Sequence, residues 1–283
     1  MKKRIVYSDN GTHTDLTNTL GDYNTGVQSL SIVASEDTVF IGSYLPFNHF
    51  YLKLGDRVND QASSINIRLW DGKEWVDVAQ VLDSTKTSTF TLGQSGYVEF
   101  IPRKEKGWSR DDTVYVNGGQ KISGLGTSII YEQFWAAMSF TANLTSNLQM
   151  AWLGNVFSND DDLGTEYPSL DRDVVRQAID SSKSSYEKEH VYAGELLVKD
   201  LIFKNIIVNV SQILYKEDLK FASVAKTAEL IFTSLGDDYK DDRAQAKSDY
   251  AERLNNCIPK IDTNLDGRLD DTEVVPKYGR ITR

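Results

Sequence analysis

The 283-residue sequence has one cysteine, three histidines and five prolines, and each scarcity excludes something. A single thiol, Cys257, leaves no intramolecular disulfide and no zinc cluster built on thiolates. Its place near the end of an expected helix suits a small core residue better than a nucleophile. His13, His49 and His190 are scattered, and neither H-E-x-x-H nor G-x-S-x-G occurs. No spacing of acidic residues singles out a general acid and base, so the sequence reads as a non-enzyme. Five prolines and 19 glycines are too few for a collagen-like or low-complexity chain. No apolar run approaches about 18 residues, so no membrane span is expected. The opening MKKRIVYSDNGTHTDL carries basic residues with no apolar stretch behind them, so no secretory signal is visible. Synthesis in a cytoplasm and use without cleavage are expected, unless the protein leaves by cell lysis. A basic surplus is also missing. With 31 Lys and Arg against 41 Asp and Glu, the net charge is −10. That disfavours a chain-wide binder of nucleic acid or anionic membrane and suits cations or a basic patch on a partner.

What is present describes a globular protein: 40% hydrophobic, 25% charged and 11% aromatic residues. At about 150 residues per domain, the length suggests two domains. Residues 1–29 read as an N-terminal extension. From residue 30 to 157 the period is two, as in His49-Phe50-Tyr51-Leu52-Lys53-Leu54 and Ile65-Asn66-Ile67-Arg68-Leu69-Trp70. Such alternation sends apolar side chains to one face of a sheet. Asp71-Gly72-Lys73 then Trp75-Val76-Asp77-Val78 predicts a hairpin. Further strands are expected at Thr89–Leu92, Tyr97–Ile101, Val114–Val116, Phe134–Phe140 and Leu148–Leu153. Short strands without intervening helices predict an antiparallel β-sandwich.

Residues 158–168, rich in aspartate and closed by Pro168, have no period and read as an acidic linker. From 169 to 261 the period becomes helical. Ser169–Asp173 can start a first helix, and Val191, Gly194, Leu197, Val198 and Leu201 share a stripe. So do Val224, Ala228, Ile231 and Leu235, with Gly236 as a stop, and then Tyr239, Ala246, Tyr250 and Leu254. Short loops between them predict a small antiparallel bundle. The fold class expected is therefore α+β: an N-terminal antiparallel β-sandwich followed by a C-terminal helical bundle. Ile206–Tyr215, apolar and β-branched between two helices, reads either as a connector under the bundle or as a segment for a neighbouring subunit.

One motif carries sharp chemistry. Residues 262–273, Asp262-Thr263-Asn264-Leu265-Asp266-Gly267-Arg268-Leu269-Asp270-Asp271-Thr272-Glu273, match the calcium loop D-x-[DN]-x-[DN]-G-x5-E in full. Calcium is a hard cation that takes six to eight oxygens in a flexible cage. Asp262, Asn264 and Asp266 offer side-chain oxygens on alternate residues, and Gly267 permits the bend. Arg268 offers its backbone carbonyl, Asp270 reaches the ion directly or through water, and Glu273 closes the site with two oxygens. A chance match in a chain this long is on the order of one in a thousand. Ca2+ is therefore the cofactor expected. Pro276 interrupts an exiting helix and no second loop pairs with this one, so a structural clip is expected rather than a sensor. In this the loop resembles a dockerin half-loop more than calmodulin. The tail, residues 274–283, is basic in an acidic chain. It reads as a frayed end or as an arm that docks on a partner through Lys277, Tyr278, Arg280, Ile281 and Arg283. Trp70, Trp75, Trp108, Trp135 and Trp152 could line a sugar-binding face or fill a sandwich core.

Phe40-Ile41-Gly42-Ser43-Tyr44-Leu45-Pro46-Phe47-Asn48 and Ile67-Arg68-Leu69-Trp70-Asp71-Gly72-Lys73-Glu74-Trp75 resemble the β-sandwich of tailed-bacteriophage structural proteins. Ala222–Ile231, then Gly236-Asp237-Asp238-Tyr239 and a helix with Tyr250, is similar to helical adaptor proteins of the phage head–tail junction. The resemblance covers most of the chain through loose motifs. It implies a virion structural protein of the neck, assembled in the host cytoplasm, in a homo-oligomeric ring of about twelve copies. The partners implied are the portal protein, reached by the C-terminal arm, and tail-side neck proteins. Genome DNA would pass through an acidic lumen without specific binding, because like charge keeps it sliding. No membrane is implied. The alternative from the residues is a carbohydrate-binding module, its sandwich the reader, on a fibre or extracellular complex; a tail-completion or collar position is a third.

Overall fold

Alternating runs pair into sheets because each buries one face only when another layer covers it. The computed structural model describes residues 3–105, 107–110, 133–257 and 259–268. Residues 3–154 with Asn264–Arg268 make one compact unit, and Asn155–Thr263 belongs to a second.

Among the described residues the first unit holds eleven strands in two antiparallel sheets and one short helix, α1 (Thr17–Leu20). One sheet runs β2 (Thr12–Asp15), β1 (Arg4–Asp9), β4 (Thr38–Ser43), β10 (Phe134–Phe140), β6 (Ile65–Trp70), β7 (Trp75–Asp77). The other runs β3 (Gln28–Leu30), β11 (Leu148–Gly154), β5 (His49–Leu54), β9 (Gly96–Ile101), β8 (Gln80–Asp83). The inward residues of both sheets share one core, with Ile41, Ile67 and Met138 from the first and Phe50, Leu52 and Val98 from the second. Burying each such side chain contributes about 1.5–3 kcal/mol. The predicted hairpin is present: Trp70 pairs with Trp75 across β6 and β7, their rings 5.5 Å apart.

Three expectations are corrected. Residues 1–29 are not an extension: β1 pairs with β2 and β4 inside the sheet. Ile5 and Tyr7 enter the inter-sheet core while Val6 packs with Phe40 and Trp135 on the other face. A strand buried on both faces shows no alternation to read. Thr89–Leu92 is not a strand. Ser88 and Leu92 have positive φ, 61° and 53°, and Phe90 makes only isolated bridges to Ser63 and Thr87. Residues 158–168 are not an open linker but contain helix α2 (Asp160–Glu166). Asn159 caps it, accepting from the Asp162 N–H while Asp162 accepts from the Asn159 N–H. The aspartates sit in the first turn, where the helix dipole favours negative charge. The expected strand at Val114–Val116 lies outside the described residues.

In the second unit α2 and α3 (Asp173–Ile179) precede α4 (Glu187–Phe203), α5 (Lys220–Leu235) and α6 (Lys240–Asn256). The buried stripes are those the period predicts: Val191, Gly194, Leu197 and Leu201 on α4, Val224, Ala228 and Ile231 on α5, Ala246, Tyr250 and Leu254 on α6. Gly236 ends α5 at φ +92°, a backbone state glycine adopts freely. The stop lets α6 fold back along α5. The Arg253 guanidinium near the end of α6 donates to the Phe221 carbonyl at the start of α5, and Lys204 just past α4 donates to Asn255. The ends of α4 and α6 and the start of α5 therefore meet at one end of the bundle. Ile206–Tyr215 is a connector within this unit, with Ile207, Ile213 and Leu214 buried and Ile213 bridged to Ile261. No helix among the described residues is long and apolar enough to cross a membrane.

Candidate functional site

The calcium-type loop begins where that bridge fixes the chain. Asp262 follows Ile261, and its side chain is fully buried. Its N–H donates to the Gln212 carbonyl at 2.8 Å, and Gln212 Nε2 donates back to the Asp262 carbonyl at 3.3 Å. Beyond it the chain curls by repeated short turns. Asn264 Oδ1 accepts from the Asp266 N–H at 3.0 Å, and Asp266 Oδ1 accepts from the Arg268 N–H at 2.8 Å. Asx turns of this kind bend the backbone around the side-chain oxygens. Leu265 at φ +61° and Gly267 at φ +74° supply the left-handed residues that the curl requires. Gly267 also lies close to the Trp108 ring and Pro46, where an added Cβ would come within 3.1 Å of the indole.

Asp262, Asn264 and Asp266 suit a hard cation, since all three present oxygen and none presents sulfur or imidazole. Arg268 Nη1 is buried and has no hydrogen-bond partner among the described residues. Asp270 and Glu273, which would complete the cage, lie outside the described residues, as do the arm residues Lys277, Tyr278, Arg280, Ile281 and Arg283. Among the described residues no group of three or more His, Cys, Asp or Glu is placed to hold a metal.

A second polar cluster escaped the sequence reading. His190 on α4 is 1% exposed. Its Nδ1 is 2.8 Å from Ser158 Oγ and 3.3 Å from Thr227 Oγ1, and its Nε2 is 3.3 Å from Asp160 Oδ1. Ser158 Oγ lies 2.8 Å from Ser223 Oγ, and Thr227 donates to the Ser223 carbonyl. The Tyr186 N–H donates to Asp160. Burial raises the Asp160 carboxyl, but hydrogen bonds involving His190, Ser185 and Tyr186 outweigh it and hold the group below its ordinary range. Serine, histidine and aspartate in this order can transfer protons. Here Ser158 is 6% exposed and its hydroxyl partners a second buried hydroxyl, so the cluster ties α2, α4 and α5 together. One histidine on a helix and a Ser–Thr pair four residues apart on another give no local signal that they meet.

Cys257 Sγ donates to the Asp218 carbonyl at 3.0 Å, and burial, aided by Asp218, pushes its thiol up to about 12. It stays a thiol at neutral pH, as a packed residue and not a nucleophile. Trp70, Trp108, Trp135 and Trp152 are buried, and half-buried Trp75 packs on Trp70 and Phe40.

The second unit also exposes apolar side chains where α4 ends. Phe203 is 87% and Val208 77% exposed, and Ile202, Tyr215 and Phe221 are exposed as well. No family model matches the chain, and no curated protein or solved structure does.

Proposed function

We propose that this protein is a structural component of a phage virion, an adaptor of the neck that joins portal to tail as a ring. The observation that carries the reading is the exposed apolar end of the helical unit, with Phe203 and Val208 standing in solvent. Exposed apolar groups gathered at one site mark an association surface. The net charge of −10 supports passage of DNA without adhesion. The test is quantitative mass spectrometry of purified particles from the source. About a dozen copies, matching the portal, is the expected count. Absence from particles, or small multiples of three, overturns the neck assignment.

Calcium belongs to the same proposal. Asp262, Asn264, Asp266, the Arg268 carbonyl, Asp270 and Glu273 would hold the ion, which would neutralise the carboxylates and order the C-terminal end. The Asx turns from Asn264 to Arg268 support this, because they set the curl such a cage needs. Limited proteolysis with calcium and with a chelator tests it. Calcium is expected to protect the C-terminal end of the native protein and not of Asp266→Ala. Equal cleavage in all four conditions removes the clip.

A further inference from the structure

The two ends of the helix bundle differ in chemistry. At one end, where α4 and α6 finish, Phe203, Val208 and Phe221 are exposed beside Lys199 and Lys204. Neither lysine pairs with a carboxylate among the described residues; Lys204 donates to the Asn255 amide oxygen. At the other end, where α5 turns into α6, Asp237, Asp238, Asp241 and Asp242 are all exposed and outnumber Lys240 and Arg243 in the same turn, and none of the four forms an ion pair among the described residues. The α5–α6 hairpin separates the two ends, since α5 is 16 residues long and each residue rises about 1.5 Å.

From this polarity we infer that the chain binds a second copy of itself head to tail, with the apolar, lysine-bearing end of one bundle meeting the aspartate end of the next. A patch and its complement on opposite ends of one molecule make a heterologous contact, which repeats from copy to copy. The apolar side chains supply the burial and the charges set the orientation. The lysines could attract any anionic partner, but the aspartate end is present at equal concentration with every copy. The inference rests on the assembly reading above. It is tested in solution, so the two failures are distinguishable: a monomer with a normal particle count is a failure of this interface, and absence from particles is a failure of the assembly reading.

The experiment is analytical ultracentrifugation of the full chain over a range of concentration and salt, with three variants. Wild type is expected to self-associate, more weakly at high salt. Lys199→Glu/Lys204→Glu makes both ends acidic, and Asp237→Lys/Asp238→Lys/Asp241→Lys/Asp242→Lys makes both basic. Each alone is expected to lose association by about tenfold or more, and an equimolar mixture to regain it, because each variant complements the other at both ends. Phe203→Ser changes an exposed side chain that the fold does not need, and it is expected to weaken association to a similar extent. A monomer at every concentration overturns the inference. So does association unaffected by Phe203→Ser, or a mixture no better than its two components.

Discussion

The imidazole Nε2 of His190 stands 3.3 Å from the Oδ1 of Asp160, and the two residues reach each other from α4 and from the first turn of α2. On its other side the same ring meets Ser158 and, through it, Ser223 on α5. Nδ1 is the hydrogen-bonded side of the ring, while Nε2 meets the carboxylate at ion-pair distance without hydrogen-bond alignment, so removing the ring should cost chiefly the bonds it gives the buried hydroxyls.

His190→Ala should lower the unfolding free energy by about 3 kcal/mol, because it opens a cavity and strands buried hydroxyls. Ser223→Ala should cost about 1 kcal/mol, since Ser158 keeps its bond to the ring. Urea denaturation measures both. A loss under about 0.5 kcal/mol for His190→Ala would mean that the network adds nothing.

Acid should act through Asp160. Its carboxyl is held below its ordinary value of 3.8 in the folded protein. A carboxyl with a depressed folded pKa stabilises above the unfolded value, and that stability is lost as pH falls through the folded one. Denaturation midpoints of wild type should therefore drop as pH falls below about 4, and those of Asp160→Asn should drop less. Superimposable acid limbs would contradict the assignment.

Lys3 should titrate in the opposite direction. Burial lowers its amine to about 8, with Nζ 5.0 Å from the centroid of the Phe47 ring. A base whose folded pKa is depressed costs stability while it is charged, so stability should rise as pH increases from about 8 toward the unfolded value of 10.5. Lys3→Met should stabilise the protein at pH 7 by about 2 kcal/mol and flatten that rise. Calorimetry at pH 7 and 9.5 checks it.

The loop backbone predicts a contrast between neighbours. Leu265 is 40% exposed at φ +61°, so Leu265→Gly should gain about 1 kcal/mol by removing left-handed strain at little loss of burial. Gly267 at φ +74° faces Trp108, so Gly267→Ala should lose about 2 kcal/mol. Thermal melts of the pair settle the sign of each.

Cys257 should resist alkylation in the native protein at pH 8 and react readily once unfolded, because its thiol is pushed up to about 12. Native labelling at the rate of free cysteine would place the sulfur in solvent.

Much of this molecule could be read locally. The alternation at His49–Leu54 and Ile65–Trp70 identified β5 and β6, and the stripe on Val224, Ala228 and Ile231 identified α5, because one-sided burial leaves a period in the order of residues. The turns from Asn264 to Arg268 were legible too, because the Asn, Asp and Gly that make them follow one another along the chain. The aspartates after Asn159 carried a helix start that composition disguised as a linker.

The rest depended on residues far apart. Strand order places β10 between β4 and β6, a pairing no local pattern announces, since any strand edge offers the same backbone groups. β1 hid its identity by being buried on both faces. The cluster of Ser158, His190, Ser223 and Thr227 came into being when three helices packed and a polar side chain inside the unit had only other polar side chains to satisfy it. Local chemistry chose the elements; burial, which acts between distant residues, chose their neighbours.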